Sequence, residues 1–427
     1  MPVSDAAGLT TAATAPPARP NGARADGAAP ALPTPEEAAD LYGWYATLTP
    51  EEDALRRRVR AFMERAVRPI ADDHWERAEF YHQVVPEVRA LDLLRDAYDP
   101  AVPNGTVRDC LVSGEMARVD PSMATFYGVQ AGLCMGSIAM HGGDEQKAEW
   151  LPKMRRWEVV GGFGLTEPDV GSGVARGLTT TCRRDGDAWV LNGRKKWIGN
   201  ATFADVLVIW ARDEATNRVK GFIVRTKRDD GTHRPGFHVE TMRGKIAQRS
   251  VQNGLITMTD LRVPESDRLQ KAESFAATQQ VLGMARCGTA WQGVGCATGA
   301  FEAALDYART RSQFGKTIGS FQLVQNQLVQ MAGHVTAMTG LALRAARLQD
   351  AEGMRDERSA LAKQYCAARC REVVGLAREL MGGNGILLEY GAARLFADAE
   401  AIYSYEGSNE INTLIVGRAL TGVGAFV

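Results

Sequence analysis

No stretch of this sequence is apolar for the ~18 consecutive residues that a membrane-spanning helix needs. An excess of one charge is also missing: 50 Lys and Arg against 51 Asp and Glu leave a formal net charge of -1. Without a basic field, nucleic acid is excluded as the main partner. The seven cysteines (Cys110, Cys134, Cys182, Cys287, Cys296, Cys366, Cys370) are odd in number and scattered, which argues against a disulfide framework. Cys366 and Cys370 lie four apart, but no nearby Cys or His pair completes a zinc site. The expectation is seven reduced, mostly buried thiols and no metal site. His74, His82, His141 and His334 fall in no triad or metal-ligand spacing. Neither G-x-G-x-x-G nor G-x-x-x-x-G-K-[ST] occurs, which argues against a nicotinamide or P-loop nucleotide fold.

What is present is a chain of 427 residues, 45% hydrophobic and 24% charged. That is near the globular average and enough for two or three domains or one large multilayer unit. The first 34 residues are rich in Ala, Pro, Gly and Thr and lack a hydrophobic signal core. Arg19 and Arg24 are offset by Asp5 and Asp26, unlike an acid-poor transit peptide. The expectation is a disordered tail over 1–34 on a cytoplasmic protein. The closing Ala425-Phe426-Val427 is not a peroxisomal Ser-Lys-Leu signal.

Residues 35–159 read as a helical domain. Thr49-Pro50-Glu51-Glu52 is an N-cap, proline and acidic first turn, carrying Leu55, Val59, Phe62 and Val67 up to Pro69. Further helices are expected near Gln83–Leu94, Val107–Val119 and Asp144–Trp157, with a break at Asp120-Pro121. Near Gly161 the apolar period shortens to that of strands. Ala188–Leu191 and Lys195–Ile198 flank Asn192-Gly193, a local hairpin signal. Short β-rich runs at Asp205–Ala211, Gly221–Arg225, Phe237–Thr241 and Leu255–Thr259 complete a barrel-like middle domain over 160–268. Residues 269–427 are helical again, with segments Gln279–Arg311, Phe321–Glu352 and Glu357–Met381 and a last helix after Glu406. Their length fits an antiparallel four-helix bundle. The predicted fold is α+β, mainly α.

Chemistry is expected at Tyr403–Asn412. Ile402 closes an apolar run, and Ile411, Leu414 and Ile415 resume at helical spacing. Gly407, Ser408 and Asn409 form a turn cluster that leads into a helix, with Glu410 in its first turn. Glu406 therefore sits just ahead of a helix N-terminus, whose partial positive charge favours an ionised carboxylate and can hold phosphates. A glutamate so placed among apolar residues is a candidate general base. A solvated turn residue is the plainer reading.

Five separated motifs resemble the acyl-CoA dehydrogenase and oxidase flavoproteins. They are Phe163–Ser172 (FGLTEPDVGS), Trp197–Asn200 (WIGN), Arg311–Gly315 (RSQFG), Met381–Gly385 (MGGNG) and Tyr405–Ser408 (YEGS). The resemblance covers residues 45–427 and is nearest to glutaryl-CoA dehydrogenases and plant short-chain acyl-CoA oxidases. It implies FAD held between the middle domain and the bundle, its adenosine end reaching a neighbouring subunit of a homotetramer or dimer. Phe163, Gly164, Leu165, Thr166, Gly171, Ser172, Trp197, Ile198 and Gly199 match flavin-side positions. Arg311, Phe314, Gln322, Glu379, Met381, Gly382, Gly383, Ser408 and Glu410 match the pyrophosphate and adenosine side. Ser172, Thr125, Gly283, Arg286, Gly407 and Arg418 match the acyl-CoA side. Gly173 and Glu410 depart from the family pattern, which has Asp and commonly an amide there.

The implied reaction is FAD-dependent α,β-dehydrogenation of an acyl-CoA. Glu406 takes the pro-R α-proton, a β-hydride passes to flavin N5, and the Glu406 N–H and a ribityl hydroxyl polarise the thioester carbonyl. Electrons then go to an electron-transfer flavoprotein or, in an oxidase, to O2. Glutaryl-specific relatives carry an arginine where this chain has Ala124, so the expected substrate is a short or branched monocarboxylic acyl-CoA. Gly199, where the dehydrogenases usually have Thr, is the feature that favours an oxidase. A glutaryl-CoA-dehydrogenase-like enzyme, a flavin monooxygenase component and a non-catalytic scaffold of the same fold are the remaining alternatives.

Overall fold

The computed structural model describes residues 32–425. The tail expected over 1–34 lies outside the described residues except for its last three, and Thr34 among these caps the first helix. Phe426 and Val427 are outside them too.

The helices before the sheet are α1 (Pro35–Ala39), α2 (Pro50–Phe62), α3 (Arg68–Arg77), α4 (Val85–Ala90), α5 (Gly105–Val119), α6 (Pro121–Gly128), α7 (Gly136–His141) and α8 (Asp144–Arg155). Thr49 and Glu52 form a reciprocal capping box at the start of α2. Pro69 does not stop this helix. Met63–Val67 widens into a π-helical turn that leads directly into α3, a geometry that accommodates the missing proline N–H. The helix expected over Gln83–Leu94 is shorter, because Asp92 enters the left-handed region at φ 51°. At the expected break, the Asp120 carboxylate accepts from Ser122 N (2.6 Å) and Met123 N (3.2 Å), capping α6. A second π-helical stretch, Val129–Met135, joins α6 to α7.

The middle of the chain is one curled sheet of β1 (Gly161–Gly164), β2 (Thr181–Asp185), β3 (Ala188–Ile198), β4 (Val206–Asp213), β5 (Val219–Arg225), β6 (Phe237–Thr241) and β7 (Gly254–Pro264), with the short α9 (Val174–Gly177) after β1. The order runs β1-β4-β2-β3-β7-β6, with β5 antiparallel on β4. Strand β4 is buried on both faces, and its period of two divides the cores. Val206, Val208 and Trp210 meet the N-terminal helices, while Leu207, Ile209 and Ala211 fill the curl.

The hairpin expected at Asn192-Gly193 does not form. Strand β3 runs straight through it, and the β2–β3 turn is at Gly186-Asp187 instead, where Asp185 pairs with Ala188. Gly193 takes φ 143° to shift register against β7, and a Cβ there would lie 2.6 Å from Thr180 Oγ1. Asn-Gly marks a place where the backbone bends readily, and cross-strand pairing decided that the bend is a bulge.

After the sheet come α10 (Phe275–Thr310), the small hairpin β8 (Ser312–Gln313) and β9 (Lys316–Thr317), α11 (Gln322–Glu352), α12 (Asp356–Leu380), α13 (Ala392–Ser404) and α14 (Asn409–Thr421). Helix α13 is an addition to the expected four. All seven cysteines are free and buried. No helix among the described residues is long and apolar enough to cross a membrane. Helix α10 is the axis of this region and packs on α5, which belongs in sequence to the N-terminal part. The two cross nearly backbone to backbone: Cβ atoms on Gly295 and Gly299 would overlap the carbonyls of Gly114 and Arg118.

Gly295→Ala should therefore force α5 and α10 apart, at a cost of about 1–3 kcal/mol from overpacking. Gly333→Ala, on α11 with no atom within 4 Å of the added methyl, should be neutral or stabilising. Thermal midpoints of the two variants by calorimetry test this, and an unchanged midpoint for Gly295→Ala would contradict the close crossing.

Candidate active site

The loop between α13 and α14 is four residues of non-helical backbone, Tyr405 to Ser408, held in an unusual shape. Glu406 lies at φ 56° and Gly407 at φ 77°. The left-handed region costs a residue with a Cβ about 1–2 kcal/mol, so something must hold Glu406 there. Lys363 Nζ, from α12, donates to the Tyr403 and Gly407 carbonyls at 2.9 Å each. Asn412 Nδ2 donates to Gly407 O (2.9 Å) and Ser408 O (3.1 Å). Ser408 caps α14 by accepting from Ile411 N at 3.3 Å.

The Glu406 carboxylate is not the group that meets the helix N-terminus, contrary to the expectation from sequence. The Ser408 hydroxyl takes that place, and Glu410 is drawn down by its own backbone N–H and Ser408. The cleft reaches part of Glu406, but its Oε1 is sealed from solvent and has no hydrogen-bond partner. Burial pushes its pKa up to about 7, opposed by Arg286 and then Lys363. Lys363 is itself fully buried and falls to about 8, by burial set against Glu406 and Glu410. Arg286 is held by Asp356 at 2.8 Å, so its structural ion pair and its charge beside the carboxylate coexist. The Glu406 backbone N–H donates to no group among the described residues.

Next to it, the Tyr405 hydroxyl donates to Gln292 Oε1 and accepts from Gln248 Nε2 at 3.0 Å. Thr125 Oγ1 donates to Gln248 Oε1 at 2.8 Å. This joins α6, the β6–β7 connection, α10 and the α13–α14 loop in one network.

The cleft in front of Glu406 has a volume of about 1670 Å³. It brings together Phe163, Leu165, Thr166, Gly171, Ser172, Trp197, Ile198 and Gly199 from the sheet side, with Thr125, Arg286, Gly407, Ser408 and Arg418 from the helices. Trp197 stands at the end of β3 with φ 67° and its residue 52% exposed, an indole face left open to the cleft. Beneath the Phe163–Ser172 segment, Glu167 is buried against Lys195 Nζ at 2.9 Å. Burial alone would raise the Glu167 carboxyl, but Lys195 and the Thr179 and Thr180 donors hold it at about 2. Glu167 is thus a structural anion and not a rival base. Glu379 is exposed on α12 and does not line the cleft.

Other expected site residues lie elsewhere. Gly164 packs on Ile209 inside the sheet, and Gly283 beside Met354 and Asp356. Glu410 is exposed outside the cleft, and Met381 is buried. Arg311, Phe314, Gln322, Glu379, Gly382 and Gly383 are exposed at the opposite end of the bundle, with Phe314 93% accessible. From Arg286 to Arg311 along α10 is about 37 Å at 1.5 Å per residue. The residues of the cleft, Ser408 among them, and these exposed residues therefore do not converge within one copy of the chain.

Lys363 escaped the sequence reading although a signal was there. It falls on the apolar stripe of α12 with Ala360, Ala367, Cys370 and Val374, where a lysine is out of place unless it is paired. Gln248 and Gln292 left no such trace.

An open indole, an orphaned carboxylate and a cleft larger than the ~300–1,000 Å³ of a single small-ligand site fit a planar cofactor beside a thioester chain. Comparisons with known proteins agree. The family profiles "Acyl-CoA dehydrogenase, N-terminal domain", "middle domain" and "C-terminal domain" match residues 49–158, 162–261 and 275–421. The chain is 29% identical to a glutaryl-CoA dehydrogenase of Desulfococcus multivorans over 88% of its length and 98% of that protein. It is 30% identical to the mitochondrial short-chain specific acyl-CoA dehydrogenase of Mus musculus, over 86% of this chain and 89% of that one. A glutaryl-CoA dehydrogenase from Mycobacterium smegmatis in complex with FADH2 superposes with a TM-score of 0.85 at 32% identity, covering 91% of this chain and 99% of the other. The chain belongs to the acyl-CoA dehydrogenase family. It is a flavoprotein oxidoreductase whose cofactor is FAD.

Because Lys363 is one of two cations that restrain the Glu406 pKa, Lys363→Met should raise it above about 7. Difference infrared titration of the carboxylate band, with Glu406→Gln as the blank, reads this directly. An unmoved titration would mean that Arg286 alone sets the charge of the site.

Proposed function

We propose that this enzyme oxidises a short or branched monocarboxylic acyl-CoA to its trans-2-enoyl-CoA, with Glu406 as the base and an electron-transfer flavoprotein as electron acceptor. The observation that carries the proposal is the sealed, unpartnered Oε1 of Glu406, in the cleft with a pKa of about 7. A base near neutrality is strong enough to take an activated α-proton yet is substantially ionised at working pH. The strained loop holds that carboxylate at the α-carbon, and the free Glu406 N–H is available to the thioester oxygen, where negative charge develops. FAD, when bound, supplies the two-electron acceptor for the β-carbon.

On this reading Phe163, Leu165, Thr166, Trp197, Ile198 and Gly199 hold the flavin ring, Ser408 faces the pyrophosphate, and Ser172, Arg286, Gly407 and Arg418 the thioester. Arg311, Phe314, Gln322, Glu379, Met381, Gly382 and Gly383 serve the adenosine of a neighbouring copy, in a homotetramer or dimer. Ala124 is fully buried and brings no cation to the acyl side, and Arg286 is already committed to Asp356. Both points weigh against a second carboxylate in the substrate, although several relatives are glutaryl-CoA dehydrogenases. An electron-transferring flavoprotein structure from Acidaminococcus fermentans is also similar, with a TM-score of 0.82 at 26% identity.

A second reading, oxidation by O2, rests on Gly199, which leaves the cleft wall without a side chain. Yet a Cβ there would meet Val129 Cγ2 at 3.1 Å. Close approach by Val129 accounts for glycine at this position without oxygen chemistry, which favours the dehydrogenase.

Three measurements test these proposals. Glu406→Gln keeps shape and polarity but not the basic lone pair, so acyl-CoA should still bind while anaerobic flavin reduction falls by at least ~100-fold. In the wild type, kcat/KM for that reduction should rise with pH up to about 7 and then level, since only ionised Glu406 accepts the proton. Peroxide per turnover, with product still bound, should be negligible in both wild type and Gly199→Thr. Substantial peroxide from wild type that Gly199→Thr abolishes would favour the oxidase.

A further inference from the structure

The cleft that holds Glu406 also exposes a second acid that the proposed chemistry does not use. Asp109 on α5 lines it, with Ser113 one turn further along the same helix. Both face α10 at Gly288: a Cβ on Gly288 would lie 3.3 Å from Asp109 Oδ2 and 3.6 Å from Ser113 Oγ. Gly288 is one turn of α10, about 6 Å, from Gln292, the residue that holds the Tyr405 hydroxyl beside the base. Gly128 and Gly132, also in the lining, keep the passage open.

Asp109 forms no ion pair among the described residues; a neighbouring acid, Asp350, adds to the upward shift of its pKa, and the Tyr127 hydroxyl beside it works in the opposite direction. Burial, with a smaller push from Asp350, raises its pKa to about 6, so it remains an anion at neutral pH. An acyl chain ending in methyl would strip water from this carboxylate and offer nothing in return. One ending in a carboxylate would set two anions together with no cation between them.

Resting on the dehydrogenase reading, we infer that Asp109 and Ser113 select the distal end of the acyl group, and that the preferred substrates carry a hydrogen-bond donor there, a hydroxyl or a protonated amine. A site built around a polar group discriminates against analogues that leave it unpaired.

The test is anaerobic flavin reduction of the holoenzyme by acyl-CoAs of four to eight carbons, ending in methyl, hydroxyl, ammonium or carboxylate. At one chain length the wild type should prefer a donor-ended substrate over its methyl counterpart by about tenfold or more in kcat/KM. Asp109→Leu should reverse that order. Asp109→Asn should keep a preference for hydroxyl and lose one for ammonium, which separates the two donors. Methyl-ended substrates winning at every length in the wild type would overturn the inference without any variant. So would a donor preference that survives Asp109→Leu in folded, FAD-loaded protein. Reduction by methyl-ended chains alone leaves the dehydrogenase reading standing, whereas reduction by no acyl-CoA at all would remove both.

Discussion

One electrostatic balance organises the cleft: the Glu406 carboxylate has a buried oxygen without a hydrogen-bond partner, and its pKa is nevertheless held to about 7. Burial alone would push Glu406 further towards the protonated form, and a direct ion pair would pull its pKa further down. The structure sets the balance with two cations that do not themselves clasp Oε1. Each is occupied elsewhere, Arg286 with Asp356 and Lys363 with two loop carbonyls. Lys363 does two jobs through this arrangement. It places a charge near the Glu406 carboxylate, and it ties down the left-handed backbone that carries it.

That loop is precise only because its surroundings are rigid. Gly295 and Gly299 let α10 lie against the backbone of α5. Residues from the N-terminal part of the chain are thereby brought to the same cleft as those of the bundle. The Tyr405–Gln292–Gln248–Thr125 network crosses this seam, so the cleft walls are fixed to one another and not merely adjacent. The sheet contributes differently: it presents Trp197 at a bulged strand end and leaves the Phe163–Ser172 segment open above a buried Glu167–Lys195 pair.

Much of this was legible beforehand where a local rule was enough. The three long helices of the bundle begin and end within a few residues of the apolar periodicity, because amphipathic period and helix caps are properties of neighbouring residues. The change to strands near Gly161 and the turn at Glu406 were legible for the same reason. Pro69 and Asn192-Gly193 were misleading because each is a local signal with two structural outcomes. Proline can end a helix or widen one turn of it, and a flexible Asn-Gly pair can reverse a strand or bulge it. The packing around them made the choice.

The amino-acid sequence by itself determined the order of helices, sheet and helices, the family motifs and the position of the candidate base. Only the tertiary structure decided that base's environment. The pKa of Glu406 depends on burial and on charges 43 to 120 positions away in the chain, Lys363 and Arg286. It likewise decided that Asp109, nearly three hundred residues before Glu406, faces the same cleft, and that Arg311, Phe314 and Gln322 stand far from it at the other end of α10. Solvent exclusion and Coulomb interaction act across space, and residue spacing along a chain records neither.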